Sequence, residues 1–144
     1  MRYNKSFYIY PAKDKDKKFE PLQKAVIEAK KSSMSKQHGC VIVSSRNFEV
    51  ISTGHNKHRF HQSSLIEIFK NKKGCTIHAE IDAINNCKNK SLLNGAILFI
   101  VRLDKIKKNS LLYSAPCNNC KKVLDKMINK YGLSKVYFST DMDL

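Results

Sequence analysis

One short pattern constrains this chain more than any other: His78-Ala79-Glu80, followed after a long connection by Pro116-Cys117-Asn118-Asn119-Cys120. One His and two Cys can close three sides of a zinc tetrahedron and leave the fourth side for water. Glu80, two residues after the His, can move protons beside the metal without being a ligand. The pattern therefore predicts a zinc site with one open position.

Two other kinds of site also use Cys-x-x-Cys, namely a closed structural zinc site and a redox-active pair of cysteines. Neither of them explains a Glu at this spacing from a His. We therefore predict that Zn²⁺ is the cofactor, that His78, Cys117 and Cys120 are its ligands, and that Glu80 is the catalytic acid–base.

The hydrophobic pattern predicts alternating helices and strands. Apolar residues recur at helical spacing after Pro21 and again from Cys120 to Tyr131, where Gly132 fits the position just beyond a helix. The short β-α-β spacing predicts parallel pairing of the later strands. The full predicted order is a helix from Pro21, a hairpin of strands 41–43 and 48–51 joined at 45–47, a helix over 78–87, a strand over 96–101, the helix that follows Cys117, and a strand over 136–138.

The joint pattern resembles the cytidine and deoxycytidylate deaminase superfamily, which includes the tRNA adenosine deaminases. Upstream, 39–43 resembles the first core strand of that family, and 52–56 resembles its strand-to-loop exit. The resemblance implies an α/β fold: an α/β/α sandwich with a mixed sheet of four to five strands and helices on both faces. We expect this domain over residues 19–144, preceded by an N-terminal arm over residues 1–18.

The resemblance also implies an activity, the zinc-dependent hydrolytic removal of an amine from a nucleobase. The His ligand and the run Pro116-Cys117-Asn118-Asn119-Cys120-Lys121-Lys122 look closest to the deoxycytidylate branch, although that branch favours Asn where Asp82 stands. The first expectation is therefore a cytosine nucleotide of dCMP or CMP type. A base within RNA, tRNA or single-stranded DNA remains an alternative, as does a catalytically silent zinc fold used for binding. The substrate contacts that the resemblance implies are Asn56, Ala79, Ser114 and Ala115.

The formal net charge of +15 favours a polyanionic partner. Lysines are concentrated in two loops, 57–73 and 105–108. A biased amino-acid composition explains the positive charge equally well. The chain has 23 Lys and only 4 Arg, and Arg binds phosphate better because its guanidinium offers two parallel donors. We expect a small-molecule nucleotide partner and leave nucleic acid open, and the resemblance implies a homo-oligomer.

Residues 57–75 read as an insertion before the zinc helix. In some deoxycytidylate deaminases this region binds a second, structural zinc through His and Cys. His58, His61 and Cys75 are the candidates here, and histidines of a solvated loop are the alternative interpretation.

Five cysteines, an odd number, argue against a disulfide framework and favour a reducing compartment. No apolar run approaches about 18 residues, so neither a membrane span nor a signal peptide is predicted. We expect a cytoplasmic protein with no membrane partner.

Overall fold

The structure, a computed structural model, describes residues 7–9, 19–58, 76–107 and 110–143. Its helices are α1 (Phe19–Ala29), α2 (Ala79–Asn86), α3 (Asn118–Tyr131) and one short 3₁₀ helix (Lys90–Leu93). Its strands are β1 (Phe7–Ile9), β2 (Gln37–Val43), β3 (Val50–His55), β4 (Lys57–His58), β5 (Thr76–Ile77), β6 (Ile97–Leu103), β7 (Ser110–Leu112), β8 (Lys135–Phe138) and β9 (Met142–Asp143).

The main sheet runs in the order β1-β8-β6-β2-β3. β2 is antiparallel to both β3 and β6, whereas β6 and β1 are each parallel to β8. β7 pairs with β6 beyond the end of β8, and β9 pairs with β7. The predicted mixed sheet is therefore confirmed, with β7 and β9 as additions that the apolar pattern did not indicate.

Helices cover both faces of this sheet. Side chains alternate between the faces of a strand, so neighbouring residues of β6 enter two different cores. Leu98 and Ile100 pack in the core under α2 and α3, whereas Phe99 and Val101 pack in the core under α1. This arrangement explains the uninterrupted apolar run of β6 and confirms the predicted α/β/α sandwich.

The second strand of the predicted hairpin begins later than expected, whereas β2 ends at Val43 as predicted. Phe48, which was expected to begin a strand, has a left-handed backbone with φ 56° and lies in the connection instead. Its N–H donates to the Ser44 carbonyl at 2.9 Å, and the Ser44 N–H donates to the Glu49 carbonyl at 2.9 Å. This closed turn delays β3 to Val50–His55, which places Asn56 directly at the exit of the strand.

Part of the predicted N-terminal arm joins the sheet, because Phe7–Ile9 pairs with Val136 to Phe138 along the edge of β8. Residues 10–18 of that arm lie outside the described residues, so the division of the chain at residue 19 stays a prediction. Among the described residues, no helix is long and apolar enough to cross a membrane.

Two glycines let helices touch strands at the backbone. A Cβ at Gly39 would overlap the Ala25 carbonyl of α1 and lie 2.9 Å from the Ala29 Cα. A Cβ at Gly54 would overlap the Ala83 nitrogen of α2 and lie 2.6 Å from the Ala79 carbonyl oxygen. The obstacles are backbone atoms rather than movable side-chain ends, so both helices depend on a bare strand position.

We predict that Gly39→Ala destabilises the fold by about 1–3 kcal/mol or more, because α1 must move away from β2. Urea unfolding monitored by circular dichroism measures the change. Ser45→Ala, in the exposed turn after β2, is the control and should stay within about 0.5 kcal/mol of the parent. Equal stability of the two variants would contradict the close contact.

Candidate metal centre and active site

Two helix N-termini meet at the predicted metal site. His78 immediately precedes α2 and Cys117 immediately precedes α3, both with extended backbones, and neither side chain caps its own helix. Cys120 follows in the first turn of α3 and is buried, with 2% exposure. The potential ligand atoms of these three residues all lie within 4.8 Å of one another.

The geometry of these three side chains fits zinc. Zn–S bonds of about 2.3 Å and Zn–N bonds of about 2.0–2.1 Å at tetrahedral angles imply N···S separations of about 3.6 Å. The His78 Nδ1 atom lies 3.2 Å from the Cys120 Sγ and 3.6 Å from the Cys117 Sγ. One imidazole and two thiols are also the donor types that zinc prefers, and three donors leave a fourth position open.

Without a bound metal, burial and local charge disfavour the thiolate form of Cys120. Burial raises the pKa of the Cys120 thiol, and the neighbouring Glu80 carboxylate raises it further. The positive ends of α2 and α3 oppose this effect only partly. Because a metal binds the thiolate, a bound cation must supply the charge that keeps Cys120 ionised.

Glu80 lies in the first turn of α2, beside the metal group. Its side chain is almost fully buried, with 5% exposure, and is within hydrogen-bonding reach of the Cys120 thiol. Burial raises the pKa of the Glu80 carboxyl, which favours its protonated form more than solvent would. A buried carboxyl beside the metal group is placed to accept a proton and to return it.

A cavity of about 360 Å³ opens beside the metal group, within the range of small-molecule sites. The structure brings all the residues predicted for the site to its wall, apart from Cys120, which lies behind it in the metal group. The predicted residues in the wall are Asn56, His78, Ala79, Glu80, Ser114, Ala115 and Cys117.

The side chain of Asn56 shapes one side of the cavity. Its Oδ1 accepts from the His38 N–H at 2.9 Å, and its Nδ2 donates to the Lys36 carbonyl at 2.6 Å. The Ser32 hydroxyl donates to the Asn56 carbonyl at 2.8 Å, which fixes the main chain as well. An amide has two N–H donors and two acceptor lone pairs, and its bonds to described residues use one donor and one lone pair.

The segment before the cysteine pair is fixed by two buried hydroxyls. The Ser114 Oγ donates to the Ile100 carbonyl at 3.0 Å and lies 2.8 Å from the Ser139 Oγ. The Ser114 N–H donates to the Ser139 carbonyl at 2.9 Å. These bonds hold Ser114 and Ala115 against the ends of β6 and β8, and so orient the chain that enters Cys117.

Five further residues line the cavity and were not predicted from the sequence: Met34, Ser35, Lys36, His38 and Thr76. His38 had a usable signal, because extending the alternation of Cys40 and Ile42 back by two residues puts it on the same face of β2. Burial, followed by the charge of Arg102, lowers the pKa of His38 to about 4, so its imidazole is neutral. The loop residues 34–36 have no periodic signal.

Asp82 joins α2 to the exit of β3. Its Oδ2 accepts from the His55 N–H at 3.1 Å and lies 3.1 Å from the Lys57 Nζ. The His55 ring in turn lies 3.0 Å from a carboxylate oxygen of Glu28, which belongs to α1. The helix that carries Glu80 and the segment that carries Asn56 are therefore connected through one buried carboxylate.

The second zinc considered for the insertion stays a prediction, since His61 and Cys75 lie outside the described residues. His58 is described as an exposed residue of β4, which pairs with β5.

Comparisons with known proteins show the family of this chain and its cofactor. The model of the cytidine and deoxycytidylate deaminase zinc-binding region matches residues 14–140, which confirms the predicted resemblance and zinc as the cofactor. A solved dCMP deaminase from the cyanophage S-TIM5, in complex with dCMP and dUMP, superposes with a TM-score of 0.56 at 20% sequence identity, covering 85% of this chain and 81% of that chain. At this identity the likeness concerns the fold alone. No curated protein matches this chain.

We predict that Cys117→Ala loses bound zinc, because two donors hold the metal far more weakly than three. Metal analysis of the purified protein should fall from one zinc per chain to near zero. The matched control is Cys87→Ala, which removes a buried cysteine outside the metal group and should keep the zinc. Full zinc occupancy in Cys117→Ala would exclude this ligand set.

We also predict that Asp82→Ala lowers stability by about 1–3 kcal/mol, because the His55 N–H loses its acceptor. Asp82→Asn keeps an acceptor oxygen and should cost less, since the Lys57 partner is partly exposed and that ion pair is screened. Thermal unfolding of the zinc-loaded variants measures both. Equal losses for the two substitutions would contradict the role of the His55 hydrogen bond.

Proposed function

This chain belongs to the cytidine and deoxycytidylate deaminase family, and we propose that it deaminates a cytosine nucleotide of dCMP or CMP type to the uracil form with release of ammonia. The family makes it a zinc-type deaminase, and the substrate is the part that is proposed. The observation that supports the proposal is the cavity of about 360 Å³, whose wall holds Glu80 beside the metal group. The structural neighbour from cyanophage S-TIM5, a dCMP deaminase, supports the same substrate class.

In this proposal His78, Cys117 and Cys120 bind the metal through Nδ1 and the two thiolates. Zinc, when bound, supplies Lewis-acid activation of water. The three residues come from two helix N-termini that are fixed to one sheet, so the donors are held in position before a metal arrives.

Glu80 is the proton carrier. Its carboxylate takes a proton from the attacking water, which adds to C4 of the cytosine ring, and delivers that proton to the ring nitrogen N3. Glu80 then takes the second proton of the former water from the hydroxyl on C4 and delivers it to the exocyclic amine. The amine leaves as ammonia while the C4 carbonyl forms. Burial of Glu80 keeps its carboxyl away from bulk solvent during both transfers.

Four residues orient the substrate. Ala79 begins α2, so its N–H has no partner within the helix and can stabilise negative charge developing at the reacting carbon's oxygen. The carbonyls of Ser114 and Ala115 accept hydrogen bonds from the exocyclic amine. The Asn56 side-chain amide binds the sugar through its remaining donor and acceptor.

The expected partner is a nucleotide monomer. The homo-oligomer and the cytoplasmic location expected from the sequence stay predictions, and nucleic acid stays an open alternative, since the described residues test none of them.

An ammonia-release screen with the zinc-loaded protein tests the proposed function. The substrates are dCMP, CMP, deoxycytidine, AMP, tRNA and single-stranded DNA, and we expect the highest turnover with a cytosine monophosphate. Ammonia release from AMP or tRNA alone would exclude a cytosine monophosphate as the substrate. No ammonia release from any of these substrates would exclude an active deaminase.

We predict that Glu80→Gln keeps zinc and fold but lowers kcat at least about a hundredfold, because the amide cannot carry the proton. Glu20→Gln, at an exposed position of α1, is the matched control and should keep normal turnover. Turnover near the parent level in folded, zinc-loaded Glu80→Gln would rule out the proposed mechanism.

A further inference from the structure

A half-buried cationic side chain lies beside the cavity, and one of its guanidinium nitrogens has no acceptor among the described residues. The Nε atom of Arg102, in β6, is buried and makes no hydrogen bond. Of the described residues, none forms an ion pair with Arg102 or with Lys36, which lines the cavity. A buried guanidinium nitrogen without an acceptor is unfavourable, and a ligand that supplies one removes this penalty.

Strand register puts Arg102 next to the cavity wall. Arg102 of β6 is directly opposite His38 of β2, and His38 lines the cavity. Residues opposite each other in a sheet share a face, and this face carries Ile100, which packs under α2 and α3. The charge of Arg102 also acts on His38, which agrees with this closeness.

The row formed by His38 and Arg102 lies one step from the metal group. Cys40 and Ile100, two residues away along the same strands, are opposite each other and pack in the same core as Ala79, which lies between His78 and Glu80. Two residues along a strand correspond to about 6.7 Å. A nucleotide whose base lies at the metal group can therefore extend towards this row, because His38 lines the same cavity as His78, Glu80 and Cys117.

The charges at this end of the cavity are of one sign. Lys36 is exposed at the wall, Arg102 is paired with His38 on the neighbouring strand, and His38 itself is neutral. Glu80 is the only carboxylate among the described residues of the wall, and it lies at the metal end. Of the described residues, the wall thus holds one carboxylate, Glu80 at the metal group, and one lysine, Lys36, while Arg102 lies on the strand next to His38.

We propose that Arg102 and Lys36 form an anion subsite that binds the phosphate monoester of the nucleotide whose base lies at the metal group. This inference rests on the proposed function and adds to it the residues that select a nucleotide over a nucleoside. The planar guanidinium supplies paired N–H donors to phosphate oxygens, and Lys36 adds a mobile ammonium at the opening.

The first test compares kcat/KM for dCMP and deoxycytidine. Arg102→Gln should lower the value for dCMP about 10- to 100-fold, mainly through KM, and leave deoxycytidine within about twofold. Equal losses on both substrates would mean that Arg102 only supports the fold, and would overturn the subsite. Arg46→Gln, in the exposed turn between β2 and β3, is the matched control and should change neither value.

Lys36→Gln provides a second variant, because an exposed residue can be replaced without affecting folding. It should lower kcat/KM for dCMP in the same direction, by about three- to tenfold, and leave deoxycytidine unchanged. An unchanged preference for dCMP in Lys36→Gln would remove Lys36 from the subsite and overturn the proposal as stated.

Binding without turnover separates this inference from the proposed function. Calorimetry measures the affinity of the zinc-loaded protein for dUMP and for deoxyuridine, and Arg102→Gln should weaken dUMP alone. If the parent protein deaminates no cytosine monomer but Arg102→Gln still weakens dUMP, the proposed function fails and the subsite stands. If dUMP binds Arg102→Gln as well as it binds the parent, the subsite fails whether or not dCMP is deaminated.

A third experiment tests whether the subsite binds a phosphate monoester or the phosphodiesters of a polynucleotide. A short single-stranded oligodeoxynucleotide with one central cytosine and no terminal phosphate offers only phosphodiesters. We expect it to bind more weakly than dUMP. Tighter binding than dUMP, weakened by Arg102→Gln and by added salt, would overturn the monoester and assign the subsite to a polynucleotide backbone.

Discussion

Helix α2 lies on strand β3 at backbone contact distance, because residue 54 has no side chain to separate them. The Ser52 hydroxyl donates to the Ala83 carbonyl at 2.8 Å across the same contact. Asp82 then binds the His55 N–H at the end of the strand. These three attachments fix the helix that carries Glu80 relative to the segment that carries Asn56. Loss of any of them would change the distance between these two side chains of the cavity wall, even though Ser52, Gly54 and Asp82 are not among the residues that line it.

The fold class, the family and the zinc cofactor could be predicted from the sequence because their signals are local. Cys117 and Cys120 are three residues apart, which in a helix is one turn, and Glu80 follows His78 by two residues. The apolar periods of α3 and β6 are equally local, so these elements were predicted within a few residues of their true bounds. The contribution of each residue of the cavity wall to binding or chemistry stays a proposal.

The rest of the structure depends on long-range pairing that no local pattern encodes. The proximity of Arg102 to His38 follows from the register of β6 against β2, which is set by the cores on both faces. The positive φ of Phe48 depends on a turn whose closing bonds come from its neighbours' main chain, and Phe is an unusual residue in that conformation. The edge position of β1 depends on which strand is left unpaired after the remainder of the sheet has formed.

The parallel pairing of β1 with β8 joins segments from nearly opposite ends of the described chain. Such a contact has a high sequence separation and forms late, since loop closure must precede it. During translation, the first strand emerges long before its partner and must wait for it. After β8 has joined the sheet and before β1 pairs with it, the edge of β8 is unprotected, so self-association through that edge is most favourable in this interval.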